Sequence, residues 1–210
     1  EGANTVLDFY LCPSDPHPLI NDQRTIWVAN NSTIATSNYV GNAGTLPMSG
    51  WMAHSCQSFD TPAKQATAFE TTNGVLFPRS GIRFRDITDG TANTALVGER
   101  DYQDPHHGNH EAAVWAGHHI SYANWAYNML TTSIPLNSGA PGETNGPDLA
   151  GDWSAGKYAN EDTDSWSSQH PGGAQFVRCD GSVSFVSETI DEGTFDNFCN
   201  RQDGEPLGAF

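Results

Sequence analysis

The side chains of this sequence that could do chemistry are its histidines, acids and cysteines. His106, His107 and His110 lie close together, Asp101 and Asp104 stand just before them, and His118 and His119 follow. Imidazole with carboxylate suits zinc and other first-row metals, so His106, His107 and His110 are candidate transition-metal ligands. Their Pro105-His106-His107-Gly108 setting reads as a turn, unlike the helical His-Glu-x-x-His arrangement that puts two imidazoles on one face. The stretch Asp86 to Asn93 offers hard oxygen donors, Asp86, Asp89 and Asn93, around the bend at Gly90. Calcium takes such donors, so these three are candidate Ca²⁺ ligands, although the EF-hand spacing is not met. Asx turns and helix caps use the same residue types.

His170 stands just ahead of a β-hairpin signal. Gln175 to Arg178 lead into Asp180-Gly181, and Ser182 to Val186 then alternate polar and apolar residues. Asp-Gly between two such runs predicts a two-residue hairpin turn of type I′, with positive φ at both central residues. Ser167, Ser168, His170 and Asp180 contain the residue types of a nucleophilic triad, but Ser is common here and Gly-x-Ser-x-Gly does not occur. Cys12 precedes Pro13 in a tight turn, and nothing in the sequence ties a histidine to it. No Walker loop and no Gly-x-Gly-x-x-Gly is present. No catalytic motif emerges, and the expectation is a non-enzymatic protein.

Four cysteines, Cys12, Cys56, Cys179 and Cys199, include no Cys-x-x-Cys pair and no pair at zinc-finger spacing, which disfavours a thiolate zinc site. An even count allows two disulfides in three connectivities. One of them, Cys179–Cys199 with Cys12–Cys56, would tie the hairpin to the last helical segment and close the N-terminal region. Bridged cysteines would place the chain outside the cytoplasm.

The 210 residues carry 25 acids against 9 Lys and Arg, a formal net charge of −16. Nucleic-acid backbones and anionic lipid surfaces are held by Lys and Arg clusters, so neither is an expected partner. Trp51, Trp115, Trp125, Trp153 and Trp166, with Tyr102, Tyr122 and Tyr127, could stack on a glycan, although large aromatics more often pack a core. No run is long and apolar enough to span a membrane. Glu1 opens the chain without Met, and the expectation is a processed or truncated N-terminus with any anchor upstream.

The elements that must position these groups are short. Abundant Gly and Pro with only 16% charged residues favour a turn-rich, β-containing chain of one domain over a helical bundle. Val6 to Leu11 is an apolar segment that periodicity over six residues cannot assign. Strands are expected at Thr25–Val28, Ser37–Val40, Val75–Phe77, Gly81–Ile87, Thr94–Gly98 and Ala112–Trp115, with a turn at Gly41–Gly44 and loop over Met48–Ala68 and Asn137–Ala159. Asp191 is an N-cap signal for a short helix to Cys199, with Phe195 and Phe198 on one face.

Several motifs occur in a fixed order: Cys12-Pro13-Ser14-Asp15-Pro16; Asn38-Tyr39-Val40-Gly41-Asn42-Ala43-Gly44; Gly74-Val75-Leu76-Phe77; Arg85 to Thr94 with Val97-Gly98-Glu99-Arg100; and His170-Pro171-Gly172-Gly173-Ala174 with Asp180-Gly181-Ser182-Val183. In this order they resemble a pilin-like family of unknown function, expanded in planctomycetes and marked by a C-terminal His-x9-Asp-Gly motif, likened to type II secretion pseudopilins. The resemblance implies an α+β, β-dominated antiparallel sheet in a single pilin-like head over 1–210, with a member-specific insertion at about 101–160. It implies an exported, non-enzymatic cell-surface or filament subunit that self-assembles or meets other pilin-like subunits, at the cell surface, the periplasm or outside the cell. The alternative is an extracellular module that binds a glycan or metal ion. His170, Asp180 and Gly181 match the motif in structural roles; the other reading of the motif has His170 and Asp180 meeting Asp86 or Asp89 at a metal. The family's long N-terminal hydrophobic helix has no counterpart in this chain.

Overall fold

The computed structural model describes residues 2, 4–16, 18–26, 32–45, 72–77, 80–102, 113–115, 129–131, 136–137 and 166–208. Among the described residues eight strands form two sheets: β1 (Ile20–Ile26), β2 (Ser32–Ser37), β3 (Tyr39–Gly44), β4 (Ala95–Glu99), β5 (Ala113–Val114), β6 (Met129–Thr131), β7 (Gly173–Arg178) and β8 (Val183–Ser187). The α-helix α1 (Glu192–Cys199) follows them. The smaller sheet has the order β1-β2-β5 and the larger β6-β3-β4-β7-β8. Pairing is antiparallel throughout except between β3 and β6, which run parallel. The fold is therefore a β-dominated α+β arrangement, as the sequence leads one to expect.

The core lies where α1 covers the larger sheet. Phe176 on β7 is its hub, with ring centroids 5.1 Å from Trp166, 5.7 Å from Phe195 and 5.8 Å from Phe198. The two helix phenylalanines meet it edge-on, the arrangement that aligns the positive ring edge with a negative face. Val40, Ala95, Ala174, Val186 and Leu136 complete the cluster. Gly98 on β4 has no side chain because the Phe176 and Trp166 rings occupy the space a Cβ would take. The Asp191 carboxylate accepts the Thr194 N–H at 2.9 Å and so caps α1. At the other end, buried Asn42 donates to the Cys199 carbonyl at 2.8 Å and to the Ala95 carbonyl at 2.9 Å, which gives one terminal helix carbonyl a partner.

The hairpin forms with a different turn. Gly181 N–H donates to the Arg178 carbonyl, Arg178 N–H donates to the Ser182 carbonyl, and Gly181 alone has positive φ, 87°. This is a three-residue loop, a type I turn closed by a left-handed glycine, instead of a type I′ turn. Three other expectations are corrected. Gly41–Gly44 is not a turn but part of β3, because Gly41 pairs with Val97 on one side and Met129 on the other. Gly81–Ile87 is not a strand: Asp86 accepts the Arg83 N–H at 2.9 Å and winds Phe84–Asp86 into a 3-10 turn, a local bond that competes with the ladder. Val75–Phe77 forms no strand; the Val75 and Leu76 N–H groups both donate to the Asn42 carbonyl. Val6–Leu11, left unassigned by its pattern, contains a 3-10 turn at Asp8–Tyr10.

The Cys179–Cys199 pairing is also corrected, while the Cys12–Cys56 pairing falls on Cys56, outside the described residues. Cys12, Cys179 and Cys199 are free thiols. Cys179 lies with Val75 and Ile87 in one apolar cluster, while Cys199 belongs to the phenylalanine core. Burial pushes the Cys199 thiol well above its ordinary range, and does the same to Cys179, up to about 11, with the Asp180 charge adding to the rise.

Candidate functional site: a cysteine, a glutamate and a histidine

One end of the larger sheet gathers three distant segments. Antiparallel pairing puts the start of β3, the end of β4 and the start of β7 side by side, with Tyr39 opposite Glu99. Glu99 is thereby set beside the segment that leads into β7, and its Oε2 accepts the Gln175 N–H at 2.8 Å and the Ser168 hydroxyl at 2.8 Å. These two donors fix the carboxylate and leave Oε1 turned to His170 Nε2, 3.4 Å away. The Cys12 turn closes on the same nitrogen, with Sγ 3.6 Å from Nε2 across 158 residues of chain. Among the described residues, the donor atoms of Cys12, Glu99 and His170 alone form a group of three or more Cys, His or acidic ligands lying within 4.8 Å of one another. Cys12 and Glu99 are buried and His170 is partly exposed.

A ring of polar groups holds the centre in place. Ser14 Oγ lies 3.1 Å from Cys12 Sγ and 3.4 Å from His170 Nε2. The His170 backbone N–H donates to Ser168 Oγ at 3.1 Å. Asn38, the single residue between β2 and β3, accepts the Cys12 N–H at 2.8 Å and donates to the Asp15 carboxylate. That carboxylate also accepts the Tyr102 N–H at 2.7 Å. Asp101 accepts from Ser167 Oγ at 2.6 Å and from the Gln169 amide, which anchors the strand of chain carrying His170. Burial raises the Tyr39 phenol above its ordinary value, and the nearby Cys12 and Glu99 raise it further; the phenol thus shares the electrostatic surroundings of the centre.

Thiol, imidazole and carboxylate together suggest either a nucleophile or a ligand set. In a nucleophilic relay the imidazole turns one nitrogen to the nucleophile and the other to the orienting carboxylate. Here the thiol and the carboxylate face the same nitrogen, so the relay is not laid out. Three donors of different softness converge on one region instead.

The other candidates from sequence fall elsewhere. Asp180 accepts its own loop's Ser182 N–H and hydroxyl at 2.9 and 2.6 Å, and serves the turn. Asp86 caps the 3-10 turn and lies 3.6 Å from Arg85. Asp89 accepts the Asp203 and Gly204 N–H groups at 2.8 and 2.9 Å, clamping the C-terminal tail. Asn93 donates to the Asp89 carbonyl at 2.9 Å. His106, His107, His110, His118 and His119 lie outside the described residues, as do Trp51, Trp125 and Trp153. Trp166 is fully buried in the core, while Trp115 stacks on Tyr10 with centroids 6.3 Å apart.

Sequence reading singled out His170 without its partners. Cys12 and Glu99 both stood inside ordered motifs, Cys12-Pro13 and Gly98-Glu99-Arg100, and that co-occurrence was the available signal. Buried Arg201, which donates to the Thr72 and Gly74 carbonyls, carried no signal at all.

A β-dominated α+β domain with a cysteine–glutamate–histidine centre at one sheet end is thus the class of protein the fold and site define. The chain belongs to the family described as "Protein of unknown function (DUF1559)", whose model matches residues 1–193. No curated protein and no solved structure matches it significantly.

Proposed function

We propose that this chain is the head of an exported, non-enzymatic cell-surface subunit of pilin-like type that assembles with copies of itself. The observation that carries this reading is the outer strand of the larger sheet. Among the described residues β8 lies at the end of the strand order, and Val183 and Phe185 on it are 63% and 44% exposed. An outer strand offers backbone groups to another chain, and proteins usually blunt such edges with charge. Here an apolar pair stands on a strand, Val183–Ser187, that has no charged residue, in a chain whose net charge of −16 makes copies repel elsewhere. A like subunit would approach along the strand itself, which carries no carboxylate. The family membership and the ordered motifs support the same reading, and the buried Trp166 gives no help to glycan stacking.

Imaging of native cell-surface material with antibody to this chain tests it. Labelled fibres or arrays are expected, and Phe185→Lys should abolish them while the purified variant keeps the wild-type melting curve. Labelling confined to the cell interior, or assembly indifferent to Phe185→Lys, would overturn it.

A further inference from the structure

We infer that Cys12, Glu99 and His170 form a zinc site, with Ser14 hydrogen-bonded beside it. The inference stands apart from assembly and rests on the donor geometry. Zinc binds thiolate sulfur at about 2.3 Å, imidazole nitrogen at about 2.0–2.1 Å and carboxylate oxygen at about 2.0–2.2 Å, with tetrahedral angles. Those bond lengths require a sulfur-to-nitrogen edge of about 3.6 Å and a nitrogen-to-oxygen edge of about 3.4 Å. The corresponding separations are 3.6 Å for Cys12 Sγ to His170 Nε2 and 3.4 Å for His170 Nε2 to Glu99 Oε1.

A direct histidine–carboxylate hydrogen bond would be shorter, near 2.7–2.9 Å when charge-assisted. His170 Nε2 and Glu99 Oε1 are therefore spaced as ligands of a common centre rather than as partners of each other. Ser14 Oγ, hydrogen-bonded to the sulfur at 3.1 Å and 3.4 Å from the nitrogen, is placed to hold a water that completes the coordination.

The donor set selects the metal. A thiolate excludes calcium and magnesium, which take oxygen ligands, while one sulfur, one nitrogen and one oxygen suit zinc among the common divalent ions. The surrounding bonds are those a metal site needs around its ligands. Ser168 and the Gln175 N–H orient Glu99, Asn38 fixes the Cys12 turn, and Ser168 also receives the His170 backbone N–H. The partial exposure of His170 gives the ion an entry path. On binding, the thiol loses its proton to solvent and the imidazole binds neutral, so affinity must weaken on acidification.

The test uses the purified chain, stripped with chelator under reducing conditions and loaded with Zn²⁺ or Co²⁺. The expected cobalt form shows a thiolate-to-cobalt charge-transfer band with intense tetrahedral d–d bands. Competition with Zn²⁺ bleaches it at one equivalent per chain. Cys12→Ser abolishes the charge-transfer band. His170→Ala, at a partly exposed position that the core does not depend on, weakens Zn²⁺ binding at least 100-fold, and Ser14→Ala weakens it less. Zinc held by His106, His107 and His110 would appear in the stoichiometry without the thiolate band, and would overturn the assignment. So would recovery of Cys12 in a disulfide with Cys56, or a melting temperature unchanged by Zn²⁺ together with no cobalt band.

Discussion

Asn38 accepts the Cys12 backbone N–H on its side-chain oxygen at 2.8 Å, so the residue that carries the chain from one sheet to the other also sets the turn of the thiol. The same side chain donates to the Asp15 carboxylate and, at 3.2 Å, to the Arg100 carbonyl. Asn38 is 1% exposed, and water cannot replace these bonds. Removing one partner of a buried hydrogen bond leaves the other unsatisfied, at about 1–3 kcal/mol each. Asn38→Ala is expected to lower unfolding stability by about 2–4 kcal/mol in urea titration and to speed reaction of Cys12 with a thiol reagent. A loss below about 0.5 kcal/mol, the scatter of ordinary surface substitutions, would contradict the role.

Gly98 gives the core its shape. A methyl group there meets the rings of Phe176 and Trp166, and neither ring has room to retreat, because Phe176 is also held by Phe195 and Phe198. Overpacking of this kind costs about 1–3 kcal/mol. Gly98→Ala should lose stability in that range and change the near-ultraviolet circular dichroism of Trp166. An unchanged spectrum with unchanged stability would show that the rings are looser than the packing indicates.

The hairpin loop makes two separable contributions. Gly181 has φ of 87°, which an L side chain adopts only with strain, so Gly181→Ala should cost about 1 kcal/mol. The Ser182 hydroxyl and N–H hold the Asp180 carboxyl below its ordinary value of 3.8. A carboxyl more acidic in the folded state stabilises the fold above its unfolded value, and that stabilisation fades as pH falls below 3.8. Asp180→Asn should therefore flatten the acid limb of a stability profile while leaving the alkaline limb alone. An acid limb of wild-type steepness in the variant would count against this.

Cys179 contributes to the alkaline limb, beside the more deeply buried Cys199. Its thiol is raised from 9.0 to about 11, chiefly by burial. A group with a raised folded value favours the folded state fully below its unfolded value, and the advantage is lost as pH rises through the folded one. Stability should thus decline between 9.0 and about 11, and Cys179→Ala should decline less over that window. Melting curves at closely spaced pH values would show it; parallel declines in both proteins would exclude the thiol as the cause.

Local chemistry made part of this molecule readable in advance. The Asp191 cap with Phe195 and Phe198 one turn apart marked the helix, and Asp180-Gly181 between alternating runs marked the ribbon, because capping and turn formation depend on residues within a few positions. The same local logic misled at Gly41–Gly44 and Gly81–Ile87. Glycine-rich sequence can be strand when neighbours pair on both sides, and an alternating run can be turn when one carboxylate captures a backbone N–H.

The centre was beyond any local rule. His170 stood out through its motif, and Cys12 and Glu99 stood in theirs, yet spacing along the chain does not state which motifs touch. By itself the sequence determined the donors, the acidic surface and the short elements. The tertiary structure alone decided their meeting: β4 lies between β3 and β7, so one sheet end receives Glu99, the segment bearing His170 and, through Asn38, the Cys12 turn. Side-chain chemistry is written residue by residue, whereas proximity across 158 residues follows only from strand order and the burial that fixes it.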